Sequence, residues 1–239
     1  MIRSTIDFEK GRGVPKAATD IDGKPQGGRS RRGVATRARL VQAAKEIFER
    51  DGFLDSRITD IAKQAGVSHG SFYHYFESKE QLFREVAEMQ EERLTAPPEN
   101  AGVASAPGES PRIRIDKANR RYLERYRDEA RIMGVIEQVS RYDEPVNEGR
   151  LARIKLSAER SEKAIRRWQD EGRVDAGIDP ALAADALGAM VARFAELWLV
   201  QGYREYDFDH AVQQLSRLWS NALQLTDEAS PRRTPRRRS

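Results

Sequence analysis

The segment 59–76, TDIAKQAGVSHGSFYHYF, places small and polar residues directly after a glycine turn. Two short helical patterns meet at Gly66, a residue type that readily adopts the left-handed conformation of a tight turn. At the start of the second helix, the imidazole of His69 and the hydroxyl of Ser71 can hydrogen-bond the edges of bases, and Gly70 leaves room for close approach. The segment therefore has the pattern of a helix-turn-helix, whose second helix enters the major groove of DNA.

Four helices are predicted around this segment. The first has apolar residues at helical spacing and ends at Gly52. Thr59 is predicted to cap the next helix, and Ser68 is predicted to cap the recognition helix over 68–76. The SKEQ run at 78–81 is a capping box that begins a longer helix. The apolar residues of the first helix are Leu40, Ala44, Ile47 and Phe48.

The stretch TDIAKQAGVSHGSFYHYFESKEQL at 59–82 forms a long and specific motif. The motif also includes AA at 43–44, IF at 47–48 and GF at 52–53. From Arg37 to Val86 the chain resembles the DNA-binding domain of TetR-type transcriptional regulators. The resemblance implies a two-domain, all-α homodimer. Its small N-terminal helix-turn-helix domain would bind operator DNA, and its larger C-terminal helical domain would hold an inducer pocket and the dimer interface.

The resemblance also implies which residues meet DNA. Contacts to phosphate are implied for Thr59, Tyr73, Tyr75 and Lys79, since phenol and ammonium groups suit phosphate oxygens. Arg37 precedes the first apolar face and is a further candidate. Packing is the alternative for both tyrosines, and a helix-start role is the alternative for Lys79 and Arg37. The residues of the recognition helix that would meet DNA are Ser68, His69, Gly70, Ser71, Tyr73 and His74.

A proline-rich segment divides the chain. Residues 95–111 hold four prolines and two glycines, a composition that predicts a linker. The DNA-binding domain is predicted over 33–94, and a ligand-binding and dimerisation domain over 112–228. Helices are predicted in the second domain near 112–130, 132–142, 146–171, 180–201 and 208–226. No alternating strand pattern is evident, so the predicted fold class is all-α.

The last two predicted helices carry the candidate dimer interface. Apolar residues from Phe208 to Leu225 follow a heptad-like spacing, and the preceding helix is apolar nearly all round. The resemblance implies that these helices form a four-helix bundle across a twofold axis. The alternative is that they belong to the intramolecular core. The candidate interface residues are Leu187, Phe194, Trp198, Leu215, Leu218, Trp219 and Ala222.

The candidate inducer pocket lies among the helices predicted over 112–171. Aromatic and methionine side chains adapt to the shape of an apolar pocket, and a few polar groups orient its ligand. Plain core is the alternative for the same residues. The many arginines allow an anionic ligand such as an acyl-CoA thioester, although a GC-rich genome would also enrich arginine; a hydrophobic ligand is the other candidate. The residues are Arg121, Tyr122, Tyr126, Met133, Ile136 and Trp168.

Basic residues are concentrated at the two ends of the chain. Residues 1–39 contain ten Lys and Arg against four Asp and Glu, and residues 230–239 contain five Arg and no acid, in a chain of net charge +4. Segments 1–32 and 229–239 are therefore predicted to be disordered basic arms, which suit a polyanion or are merely solubilising. A nonspecific nucleoid-type protein is thus an alternative to a specific regulator, and an activator is an alternative to a repressor.

The sequence lacks the motifs of several other classes of protein. The chain has no Cys, which excludes disulfides and thiolate-bound metals. It has no H-E-x-x-H motif and no phosphate-binding glycine loop, so we predict no enzyme activity, cofactor or metal. It also lacks an apolar leader and any uncharged run of about 18 residues. No membrane contact is predicted, and the expected location is the cytoplasm.

Overall fold

The computed structural model describes residues 27–96 and 109–226, which form α-helices and one π-helical segment without any strand. The all-α fold class is confirmed. The C-terminal arm, most of the linker and most of the N-terminal arm lie outside the described residues. The elements are α1 (Gly27–Asp55), α2 (Ile58–Gln64), α3 (His69–Phe72), α4 (Lys79–Thr95), α5 (Pro111–Asp128), α6 (Ala130–Ser140), α7 (Glu144–Asp170), α8 (Pro180–Ala195), the π-helical segment (Glu196–Val200) and α9 (Phe208–Ala222).

Helix α1 starts earlier than the sequence predicts. It begins at Gly27, so residues 27–32, which were assigned to a disordered arm, are helical. No proline separates these residues from the apolar face that starts at Leu40, and the helix extends toward the N-terminus because elongation costs less than nucleation. The other end agrees with the prediction, because Gly52 leaves the helical conformation with φ 75°.

The capping box fixes where α4 begins. The Ser78 hydroxyl accepts a hydrogen bond from the backbone N–H of Gln81 at 3.1 Å. The Gln81 side-chain oxygen accepts a bond from the backbone N–H of Glu77 at 2.6 Å, one residue earlier than in the usual box. Helix α4 therefore starts at a defined point only a few residues after α3.

An aromatic core holds the N-terminal domain together, with α1 packed on α2 and α4. The ring centroid of Phe83 on α4 lies 5.1 Å from that of Phe48 and 4.9 Å from that of Phe53, both from α1. Phe72 and Phe76 reach the same core from α3 and the turn after it. Burial of two large aromatic side chains anchors this short helix.

In the C-terminal domain, α7 packs on α8 and α5 packs on α9. The five helices of this domain lie where the sequence predicts them, except that the last turn of the helix predicted over 180–201 is π-helical. This widened turn lies against α6 at Gly134, where an added Cβ atom would meet the Val200 Cγ1 atom at 2.8 Å. A glycine is therefore needed for the close approach of the two segments.

Contacts from α1 and α4 join the domains. Helix α1 packs against α6, where Lys45 Nζ lies 2.8 Å from Glu129 Oε2. Helix α4 packs against α7, where Arg84 Nη2 lies 3.1 Å from Asp143 Oδ2. The carboxylate of Asp143 also caps α7 by accepting the backbone N–H of Val146 at 3.1 Å. Helix α4 therefore contributes to the packing of both domains.

Candidate nucleic-acid interface

A tight turn at Gly66 joins α2 to α3. Gly66 has φ 69°, in the left-handed region that favours glycine. Its backbone N–H donates to Lys63 O at 3.1 Å, and the N–H of Val67 donates to Ala62 O at 3.0 Å, which closes the end of α2. Val67 packs on the core. The predicted helix-turn-helix geometry is therefore present.

The recognition helix itself is short. Ser68 is its N-cap and accepts the backbone N–H of Ser71 at 3.1 Å. The hydroxyls of Ser68 and Ser71 also lie 2.7 Å apart and share a hydrogen bond. Beyond Phe72 the chain continues as a turn, with the N–H of Phe76 donating to Phe72 O at 3.1 Å. The helix predicted over 68–76 thus consists of a capped α-helical turn followed by a further turn.

Helix α3 and the turn after it have one buried side and one exposed side. Phe72 and Phe76 are buried, whereas four neighbouring residues are exposed, and Tyr73 keeps 51% of its surface accessible. A Cβ atom added at Gly70 would meet no heavy atom within 4 Å, so the backbone there is open to close approach. We call the four exposed residues the α3 face: His69, Gly70, Tyr73 and His74.

Ring contacts order part of the α3 face. The rings of His69 and Tyr73 meet edge to face with their centroids 5.4 Å apart. Tyr73 also lies against the buried ring of Phe72 at 5.3 Å. Two groups that can donate and accept hydrogen bonds are therefore held side by side on the exposed surface without being buried.

The other predicted phosphate contacts differ in exposure. Thr59 is exposed in the first turn of α2. The predicted cap at Thr59 is wrong, because α2 begins at Ile58 after Arg57 and has no side-chain cap. Tyr75 is half-buried and packs on the core, so its ring also has a packing role.

The ammonium group of Lys79, a predicted phosphate contact, is bonded to backbone carbonyl groups of its own chain. Its Nζ atom donates to the carbonyl oxygens of Phe53 at 2.7 Å, Ser56 at 2.9 Å and Leu54 at 3.3 Å. The same atom lies 4.6 Å from the ring centroid of Phe53. An ammonium group has three donors, and all three are used here. Lys79 therefore ties the end of α1 to the start of α4.

Arg37, another predicted phosphate contact, is similarly bonded within its own chain. Its Nη1 atom donates to Tyr75 O at 2.7 Å, and its Nε atom donates to Glu85 Oε1 at 3.1 Å. The guanidinium also lies over the ring of Phe76, 4.2 Å from the centroid. Arg37 thus fastens the residues after α3 to α1 and α4.

The predicted pocket residues and the groove that the structure contains are largely separate. Among the predicted pocket residues, Tyr126, Met133 and Trp168 are buried in the core, and burial raises the pKa of Tyr126. Burial also lowers the pKa of the half-buried Arg121. A groove of about 300 Å³ lies instead between α4 and α7, and of the six predicted residues only Ile136 lines it. The other residues that line this groove lie on α4 and at the start of α7. Within the described ranges, no helix is long and apolar enough to cross a membrane.

The predicted dimer residues fall into two groups. Leu215 and Trp219 are buried in the core of their own chain, as in the intramolecular alternative for this helix. Leu218 is 51% exposed, and Ala222 is exposed beside it on α9. The three residues from the preceding helix, Leu187, Phe194 and Trp198, are half-buried.

Comparison with known proteins agrees with the helix-turn-helix. The profile of "Bacterial regulatory proteins, tetR family" matches residues 40–86. An uncharacterized HTH-type transcriptional regulator of Bacillus subtilis, YdgC, is 46% identical over 55 residues, which are 23% of this chain and 28% of YdgC. The sequence match thus spans less than a third of that relative's length.

Solved structures match over much more of the chain. A putative TetR-family transcriptional regulator from Mesorhizobium loti aligns with a TM-score of 0.67 at 17% identity, covering 80% of this chain and 98% of the other. FadR from Bacillus subtilis in complex with stearoyl-CoA aligns with a TM-score of 0.63 at 17% identity, covering 76% and 96%. Both likenesses concern the fold. The chain thus shares with TetR-family regulators a profile match over residues 40–86 and the overall fold.

Proposed function

We propose that the chain is a transcriptional repressor that binds a palindromic operator as a homodimer in the cytoplasm and is released by a small-molecule inducer. The observation that carries the proposal is the α3 face, whose polar groups are exposed while Phe72 and Phe76 anchor the helix from below. In this proposal the α3 face enters the major groove. The exposed Thr59 and Tyr73, with the partly exposed Tyr75, are the proposed phosphate contacts.

A sequence-specific regulator fits the charge distribution better than a nonspecific nucleoid-type protein. The basic excess is confined to the ends of the chain, and the body between them is acidic. A nonspecific binder takes its affinity from many phosphate contacts and loses it steeply as salt rises. Repression is proposed rather than activation because a dimer seated on an operator is enough to block a promoter. No enzymatic role is proposed, since the groups on the α3 face suit binding.

The proposed partner surface lies on the outer side of α8 and α9. Leu215 and Trp219 hold the inner side of α9 in the core of its own chain. Leu218 and Ala222 leave an apolar surface on the outer side. Leu182 on α8 is also exposed. A second copy that covers this surface would bury apolar area that is otherwise exposed to water.

Replacing Leu218 with glutamate is expected to shift the chain from dimer to monomer. A charge at the centre of an apolar interface costs at least about 2 kcal/mol of association free energy. Analytical ultracentrifugation over a range of concentrations measures this change. Gln213→Glu is the matched control, because it adds the same charge to another exposed face of α9. A dimer that survives Leu218→Glu unchanged would place the interface elsewhere.

Helix α4 is the proposed route from inducer to DNA. Its start follows α3 through the capping box, and its later turns pack on α7. An inducer acts only if it binds one conformation more tightly than the other. A ligand that changes the distance between α4 and α7 would move the two recognition helices of a dimer away from successive major grooves.

The test of DNA binding uses fluorescence anisotropy with the DNA upstream of the gene itself and a scrambled duplex, at two salt concentrations. We expect a preference of about a thousandfold that persists at the higher salt. His69→Ala is expected to relax the base preference at one or two operator positions by about 1–3 kcal/mol. Lys163→Ala, at an exposed position on α7, is the control.

Two results would contradict this proposal. Equal and salt-sensitive binding to both duplexes would favour the nonspecific nucleoid-type protein. Uniform weakening of all sequences by His69→Ala would assign that imidazole to phosphate contact rather than to base readout.

A further inference from the structure

The groove between α4 and α7 lies where the two domains meet. It has a volume of about 300 Å³, and Ile136 and Val146 contribute its apolar lining. The charged residues along it are Arg84, Glu85, Glu88, Glu91 and Arg150. A concave site of this size with a few polar groups is the usual form of a small-molecule pocket.

The cationic groups of the groove are already neutralised. Arg84 Nη2 lies 3.1 Å from Asp143 Oδ2, and Arg150 Nη2 lies 2.5 Å from Glu137 Oε2. Neither Asp143 nor Glu137 lines the groove. An anionic ligand would have to compete with these carboxylates for both guanidinium groups.

The carboxylates of the groove are not neutralised to the same extent. Glu85 pairs with Arg37. Glu91 is only 5% exposed, and the one cation that pairs with it among the described residues is Arg150, whose Nε atom lies 3.7 Å from Oε1. Its carboxylate accepts no hydrogen bond from any described residue. Glu88, three residues earlier on the same helix, forms no ion pair within the described ranges. A buried carboxylate without a hydrogen bond is costly, and a ligand that donates to it removes that cost.

Several carboxylates also act on the interior beside the groove. Burial raises the pKa of Tyr126, and the carboxylates of Glu196, Glu137 and Glu91 add to this effect, which Arg150 opposes. Burial likewise raises the pKa of Glu91 itself to about 7. Tyr126 is therefore influenced by three carboxylates and one guanidinium group.

We propose that this groove binds a small organic cation, a protonated amine with an apolar body, whose ammonium group donates to Glu91 and Glu88 while its apolar part contacts Ile136 and Val146. The inference rests on the proposed function, in that such an amine would be the inducer. The bound amine would lie between α4 and α7. Its binding would therefore change the packing of α4, the helix that follows α3. The ligand class differs from the acyl-CoA thioester predicted from the arginine content.

The test compares three probes of nearly the same shape by isothermal titration calorimetry on the full chain at pH 8. They are 2-phenylethylamine, 2-phenylethanol and phenylacetate, which carry positive, zero and negative charge. At this pH the amine is protonated and Glu91 is largely ionised. We expect the amine to bind at least about tenfold more tightly than the alcohol, and phenylacetate to bind least.

Glu91→Gln keeps the shape of the side chain and removes its charge. It is expected to weaken binding of the amine about tenfold or more and to leave binding of the alcohol unchanged. Glu159→Gln is the matched control on an exposed part of α7. Equal affinity for the three probes, an unchanged affinity in Glu91→Gln, or no binding of the amine at about 10 mM would overturn the inference.

The DNA assay separates this inference from the proposed function. Failure of the amine to bind, in a protein that still recognises its operator, rejects the cation site and leaves the regulator in place. Binding of the amine through Glu91 without a change in operator affinity supports the site and rejects its role as an inducer site. Absence of operator preference rejects the proposed function while the calorimetric result stands.

Discussion

Replacing Lys79 with methionine is expected to lower the free energy of unfolding by about 2–4 kcal/mol. The ammonium group donates to three carbonyl oxygens after the kink in α1, at 2.7 Å to Phe53, 2.9 Å to Ser56 and 3.3 Å to Leu54. Hydrogen bonds from a charged donor are stronger than neutral ones, and methionine leaves these carbonyls without their donor. Leu54 is exposed, so water replaces part of the loss.

Urea unfolding followed by circular dichroism measures this change. Lys63→Met is the matched control, because Lys63 is exposed on α2 and forms no ion pair with a described residue. Operator titrations against salt distinguish the two roles of Lys79. Unchanged stability together with weaker binding to every sequence and a flatter salt slope would restore Lys79 as a phosphate contact.

Replacing Glu91 with glutamine is expected to stabilise the protein at pH 8 and to have no effect near pH 4.5. Burial raises the pKa of Glu91 to about 7 from an ordinary 4.5, so the folded protein holds this proton more tightly than the unfolded chain does. The wild type therefore loses stability as pH rises from 4.5 to 7, and the loss stays constant above that. The difference between the two pKa values corresponds to a loss of at most about 3 kcal/mol in the free energy of unfolding.

The groups around Glu91 act in both directions. Arg150 and Arg153 on α7 lower the pKa of Glu91, whereas burial and Glu137 on α6 raise it. Urea unfolding of Glu91→Gln and of the control Glu159→Gln at pH 5, 6.5 and 8 measures the difference. A stability difference that is the same at every pH would mean that Glu91 keeps an ordinary pKa in the folded protein.

The local parts of the fold were predictable from the sequence. Gly52 and Gly66 mark two turns, and Ser68 and Ser78 cap the helices that follow them, because each depends on neighbours within a few residues. The periodic apolar residues likewise placed the five later helices. The prediction that Thr59 caps α2 was wrong, because α2 begins one residue before it, at Ile58, without a side-chain cap.

Contacts between distant residues were not predictable in the same way. The partners of Lys79 lie 23 to 26 residues earlier in the chain, and Glu85 lies 48 residues after Arg37. Both cations were assigned to phosphate because a surface position and a positive charge look the same in sequence for either role. The groove was missed for a similar reason, because Glu91 and Arg150 meet only after α4 packs on α7.

The division of α3 into two sides bears on how such a protein evolves. Phe72 and Phe76 supply the anchoring of the helix, and the α3 face makes little contribution to the core. Substitutions at exposed positions away from the core usually change stability by less than about 0.5 kcal/mol. His69, Tyr73 and His74 are therefore free to diverge after gene duplication. If the α3 face reads DNA as proposed, a descendant can acquire a new target sequence by a few substitutions without a compensating change elsewhere in the fold.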